Sequence, residues 1–305
     1  MKYLKMMSLL VLAMVMSNCG SDDPPAPPVV DFFADVNGTE VTFNSSVTGA
    51  NTLSWNFGDG NTSTEANPIH AYETPGNYTV VLTATGEGGT ESESKNVEIL
   101  ESLEYLLTGG AAKAEGKTWK LKYEVAPNHD KEGISFVDNS LALIQVVDED
   151  GLLDWITLSQ GYEDSFTFVY DGSYMVDNAD GQSLMSLVYA LMNHDADIRA
   201  ISTEPDLVPL ADVVYSPKSD ATWSTDDANF TVDALNPVTG VPESVEFTGH
   251  TRLILDEYLG YKEASILVII KEISETELTV AIGIHASVDA PDLPVYLFHM
   301  TFEAQ

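Results

Sequence analysis

The chain has 305 residues, 44% of them hydrophobic, which is material for about two domains with a sizeable core. Its 13 Lys+Arg stand against 48 Asp+Glu, a formal charge of −35. Such a surface repels nucleic acid and anionic membranes, and it disfavours polyanionic glycans unless divalent cations bridge them. A single cysteine excludes an intramolecular disulfide.

Residues 1–18 have the layout of a signal peptide. Lys2 and Lys5 supply a positive start, and Met6–Met16 is an apolar run too short to span a bilayer comfortably. Met16-Ser17-Asn18-Cys19 resembles a bacterial lipobox, although Met replaces the usual leading Leu and Asn replaces the usual small residue before the cysteine. That resemblance implies cleavage before Cys19 and a lipid on its sulfur. Ser21-Asp22-Asp23 is similar to the acidic export tag that sends lipoproteins to the outer leaflet in bacteria that build polysaccharide-utilisation systems. The expected location is therefore the outer membrane, lipid-anchored and facing out from the cell. Pro24, Pro25, Pro27 and Pro28 make 19–28 an extended, semi-rigid linker.

Residues 29–100 read as β throughout. Val41-Thr42-Phe43 and Leu53-Ser54-Trp55-Asn56-Phe57 alternate, and Tyr78–Thr85 and Val97–Ile99 follow between glycine- and asparagine-rich turns. Trp55 and Phe57 share a face and can fill a core. Gly58 and Gly60 permit a tight turn, and Asp59 can bond its backbone. Trp55-Asn56-Phe57-Gly58-Asp59-Gly60, then Asn67-Pro68-Ile69-His70-Ala71-Tyr72, then Pro75-Gly76-Asn77-Tyr78-Thr79-Val80 closely resemble the PKD domain. The resemblance implies an immunoglobulin-like sandwich that acts as a spacer.

Residues 101–116 join the two units, with one helical turn over Leu103, Leu106 and Leu107 before Gly109-Gly110. Residues 117–305 are large enough for a core of their own. Trp119, Leu121, Tyr123 and Val125 share one strand face, and Phe166, Phe168 and Tyr170 another. Ile266–Ile270 is a continuous apolar run. Leu278, Val280, Ile282 and Ile284 alternate, as do Tyr296, Phe298, Met300 and Phe302. Leu184, Leu187, Val188, Leu191 and Met192 follow helical spacing and predict one amphipathic helix packed on the sheet. The fold class is thus mainly β: an N-terminal immunoglobulin-like sandwich and a larger C-terminal antiparallel β-sandwich with one amphipathic helix.

Leu107-Thr108-Gly109-Gly110, Gly116-Lys117-Thr118-Trp119, Glu163–Phe168, Ala221-Thr222-Trp223-Ser224 and Ile273–Leu278 loosely resemble the C-terminal domains that follow PKD modules in surface lipoproteins of polysaccharide-utilisation systems. That resemblance implies glycan binding without catalysis, and a partner of the starch-utilisation transporter type in the outer membrane.

Sugar recognition needs flat aromatic faces beside polar groups. Outside the alternating core positions these are Trp155, Trp223, Tyr162, Tyr258 and Tyr261. Asp154, Asp226 and Asn229 are placed to bond hydroxyls. Trp119 and His70 read as structural. Asp148, Asp150 and Asp154 are spaced as in short calcium loops, so calcium is the ion they would take, although no cofactor is required for stacking. The histidines show no metal-ligand spacing, and neither a nucleophile elbow nor a phosphate loop is present. The expected partners are a polysaccharide or oligosaccharide, the transporter complex, and the membrane through the lipid, with no nucleic acid. The alternatives are an adhesion module for a protein partner or a divergent glycan-degrading enzyme.

Overall fold

The computed structural model describes residues 24–122, 132–146, 163–201, 210–285, 287 and 289–305. The chain divides into two compact units, one of 24–71 with 77–98 and one of 72–76 with 99–305.

In the first unit β1 (Val29–Asn37), β2 (Glu40–Thr48) and β5 (Ile69–Ala71) form one antiparallel sheet. A second sheet orders β4 (Thr62–Ser63), β3 (Thr52–Asn56), β6 (Gly76–Gly86) and β7 (Gly89–Ile99). Alternation sends Phe32, Phe43, Trp55, Val80, Leu82 and Ala84 inward, each 0% exposed. Trp55 donates its indole N–H to Glu65 O at 2.9 Å and meets Phe32 edge-on at 5.1 Å. Phe57 is buried as expected, and His70 stacks on it at 4.1 Å while its Nε2 lies 2.7 Å from Asp59. Asp59 also accepts from Asn61 N at 2.9 Å. Gly58 has φ +85°, and a Cβ there would meet Thr79 O at 2.7 Å, so the turn requires glycine.

The second unit is built on eight strands that follow one another around a closed antiparallel sheet. These are β8 (Lys117–Leu121), β11 (Ser165–Phe168), β12 (Ser173–Asp177), β16 (Ala221–Asp226), β19 (Thr251–Leu255), β20 (Val268–Ile273), β21 (Glu277–Ile284) and β22 (Tyr296–Ala304). Closure comes from β22, which pairs with β8 through Phe302–Ala304. The other half of the same β22 edge pairs with β9 (Gly133–Phe136), which carries β10 (Leu143–Val146). The expected antiparallel pairing is present throughout, closure leaves the eight-strand ring without a free edge, and β10 is the one outer edge of this sheet among the described residues.

Side chains fill the interior. Trp119, Phe166, Phe168, Tyr174, Val280, Ile282, Phe298, Met300 and Phe302 belong to one buried cluster. The outward residues Ile269, Ala281 and Leu297 are buried as well, beneath Phe230, Ala234 and Phe247. Those come from a hairpin of β17 (Phe230–Leu235) and β18 (Pro242–Phe247). Both faces of β20 are therefore covered, which explains its unbroken apolar run.

α1 (Leu103–Thr108) is capped by Ser102, whose side chain accepts from Tyr105 N at 3.0 Å, and ends at Gly109 with φ 79°. Its Leu107 belongs to the barrel core, and Trp119 donates to Leu107 O at 3.0 Å. The amphipathic helix is shorter than its spacing predicted. α2 (Leu187–Asn193) starts after Ser186, and Leu184 lies on β13 (Gln182–Ser186). The Ser186 side chain accepts from Tyr189 N at 3.3 Å and stops the helix from extending backward. α2 packs beside the sheet that orders β13, β15 (Leu210–Val214) and β14 (Ile198–Ile201), burying Ala190 with Met185, Ala211 and Val213.

Candidate functional site

Of the aromatics expected to face a sugar, three lie in the barrel wall or core. Trp223 is 9% exposed, meets Phe168 edge-on at 5.6 Å and donates its indole N–H to Val169 O at 2.8 Å. Tyr258, 0% exposed, shares its hydroxyl with Ser183 Oγ at 2.7 Å and with Asp164 at 3.3 Å. Tyr261 donates to Ile282 O and Gly283 O at 2.9 and 3.0 Å. No face of these rings is open to a sugar, so they correct the expectation: each is a structural aromatic with its polar atom satisfied indoors.

Asp226 accepts from Ala228 N at 3.0 Å and from Arg252 at 3.0 Å, and those two contacts, the amide before the guanidinium, hold its pKa low. It locks a turn and is not presented for a ligand. Asn229 is exposed on the same turn. Trp155, Tyr162, Asp154, Asp148, Asp150 and Cys19 lie outside the described residues. Among the described residues no group of acids, histidines or cysteines is arranged to hold a metal ion.

A concave site does exist, assembled from segments far apart in sequence. A cleft of about 240 Å³ runs between the end of β9 and the β17–β18 hairpin. One wall is Phe136, Val137 and Asp138. The other is the end of β17 with Asn236, Pro237 and Val238, and Ala234 and Val295 line it as buried residues. The hairpin turn is held rigidly. Asn236 Oδ1 accepts from Val238 N and Thr239 N at 2.9 and 3.0 Å, and Gly240 returns the chain at φ 67°. Leu235 N donates to Pro294 O at 2.9 Å, which fastens the hairpin to the segment that enters β22.

The register of β9 on β22 sets Phe136 opposite Tyr296, and the two rings stack at 6.2 Å with 26° between planes. Phe136 is 37% exposed, so the cleft lining includes an aromatic ring packed beside Tyr296 with part of its surface open. Polar groups flank it: Asp138 on one wall, and Glu243 on the other, where it accepts from Asn236 Nδ2 at 3.2 Å. The combination of an apolar ring, small apolar residues and oriented carboxylate and amide groups can hold a small polar ligand with apolar faces.

The sequence pattern did not single out this site. Phe136 was not among the tryptophans and tyrosines sought in polar loops. Asn236-Pro237 and Gly240 are turn-forming residues and are the local signal for this hairpin, but their distance in sequence from Phe136 leaves no mark of the pairing.

The PKD domain family model matches residues 25–100, so the first unit is a PKD domain. Collagenase ColA of Bacillus cereus is 58% identical over 41 residues, 13% of this chain and 4% of the collagenase. Collagenase ColA of Clostridium perfringens is 33% identical over 92 residues, 30% of this chain and 7% of that enzyme. The chain thus spans only a small part of these relatives. The crystal structure of the PKD1 domain of Vibrio anguillarum Epp is 29% identical, covers 25% of this chain and 95% of that one, and has a TM-score of 0.24. Carbohydrate-binding modules of the β-sandwich superfamily align over 92% of both chains at 12% identity and a TM-score of 0.24.

Proposed function

We propose that the chain is a cell-surface binding protein that captures a neutral polysaccharide or oligosaccharide in the cleft beside Phe136, with the PKD domain as its spacer. The observation that carries this reading is the part-exposed Phe136 ring, packed beside Tyr296, in the lining of a cleft with carboxylate and amide groups on its walls. A sugar ring lays its apolar C–H face on such an aromatic and turns its hydroxyls to the flanking acceptors. The net charge of −35 favours an uncharged glycan.

PKD domains are typical of extracellular or surface proteins, which supports display outside the cytoplasm. Among the described residues no helix is long and apolar enough to cross a membrane. A lipid on Cys19 would supply the attachment, and a transporter complex in the outer membrane would receive the glycan. Calcium enters only if the acidic run containing Asp148, Asp150 and Asp154 binds it.

Isothermal titration of a soluble form beginning after Cys19, against a panel of neutral polysaccharides, tests the reading. Binding is expected, and Phe136→Ala should weaken it about tenfold, the size of an aromatic hot spot. An absence of binding across the panel sinks glycan capture. Binding left unchanged by Phe136→Ala moves the site elsewhere. A stable protein partner recovered without glycan affinity would favour the adhesion reading instead.

A further inference from the structure

The barrel end at which β20 begins and β21 finishes carries a second arrangement that glycan capture does not use. The β20–β21 register pairs Val268 with Ile282, and Gly283 N donates to Leu267 O at 2.9 Å. Ahead of β20 the chain bends at Ala264-Ser265, and this bend brings the Ser265 side chain to His285, the residue that follows β21. Ser265 Oγ lies 3.1 Å from His285 Nε2, and His285 Nδ1 lies 3.0 Å from Glu263 Oε2. Glu263 is pinned by two further donors, the backbone N–H of His285 at 3.0 Å and the hydroxyl of Ser186 at 2.8 Å.

A carboxylate can only accept, so the proton of His285 sits on Nδ1. The lone pair of Nε2 then faces the hydroxyl of Ser265. Both contacts fall within the reach at which a base activates a nucleophile and a third group orients the base. Burial is graded to match. The His285 and Glu263 side chains are 1% and 2% exposed, whereas Ser265 is exposed. A base and its orienting carboxylate are therefore shielded from water beneath a hydroxyl that a substrate can reach.

We propose that Ser265, His285 and Glu263 form an acyl-transfer site that hydrolyses carboxylic esters. Ser265 Oγ adds to the ester carbonyl carbon as its proton passes to His285 Nε2. The adduct then expels the alcohol, which takes that proton, and leaves an acyl group on Ser265. Water, deprotonated by the same Nε2, releases the carboxylic acid and restores the hydroxyl. No reactant besides ester and water is needed. Glu263 acts through His285 and is a positioning residue.

The test treats the full chain with a fluorophosphonate probe and with p-nitrophenyl acetate. The expected result is one covalent adduct mapped to the Ser265 peptide, and ester turnover about 100-fold above Ser265→Ala, within the usual range for general-base assistance. Ser265→Ala removes an exposed hydroxyl together with its one hydrogen bond to His285, so its melting temperature should fall by a few degrees at most, which confirms that the variant is folded. His285→Asn should lose the adduct, and if that variant fails to fold, the parent and Ser265→Ala decide the matter alone. Overturning results are no adduct at Ser265, equal labelling and turnover in Ser265→Ala, or undiminished labelling in folded His285→Asn. Glycan titration is independent of each of these outcomes.

Discussion

At the scale of single residues, burial has turned several polar groups into structural ones. Asp164 is 2% exposed, and burial raises its pKa from the usual 3.8 to about 8, with Asp180, Asp212 and Asp177 adding repulsion. Glu132 is raised to about 7 and Asp212 to about 6, both chiefly by burial. For each, the folded value lies above the unfolded one, so folding favours the protonated form. That contribution is complete below about pH 4 and is lost as pH rises through about 6 to 8. The melting temperature should therefore fall between pH 5 and 8. Asp164→Asn should flatten the slope by up to about 1.4 kcal/mol per pH unit, measured by denaturation at several pH values. An unchanged slope would mean that Asp164 is not buried as described. Trp223 shows why the aromatic candidates were misplaced. On β16, Ala221 and Trp223 point inward while Thr222 and Ser224 point out, so half of a barrel strand passes for a polar loop.

At the scale of elements, the first and last strands of the barrel hold each other, and α1 is docked against the first of them. Lys117 Nζ donates to Leu106 O at 2.9 Å and Trp119 Nε1 to Leu107 O, so β8 ties the helix to the sheet. Trp119→Ala would leave a large void in the core and strand that carbonyl, and should cost about 3–5 kcal/mol in urea unfolding. Gly116 enters β8 at φ 76°, and a Cβ would meet Phe168 O at 2.4 Å. Because the obstacle is backbone, Gly116→Ala should cost about 1–3 kcal/mol, and a neutral result would show that β8 and β11 can part there without penalty. Strand alternation and the α1 turn were legible because period-two burial, and leucines at helical spacing before Gly109-Gly110, leave local marks. The over-long helix was not. Leu184 satisfies helical spacing from Leu187 and Leu191, yet its backbone pairs with Asp212 on β15.

At the scale of the whole molecule, the acidic charge acts on stability more than on a neutral ligand. Raising NaCl from 50 to 500 mM should increase the melting temperature by screening self-repulsion, and affinity for the neutral glycan proposed above should change less than about twofold. A steep loss of affinity with salt would identify a charged ligand. What the sequence by itself determined is local: the PKD unit through three ordered motifs, the β character of both units, and the cores around Trp55 and Trp119. Turn chemistry and alternation are written in neighbouring residues, so they can be read without coordinates. Only the tertiary structure decided the closure of the barrel, the cleft that joins Phe136 to the Asn236 turn, and the meeting of Ser265, His285 and Glu263. Each of these depends on strand register, and register is set by the packing of whole faces against one another, which no single segment encodes.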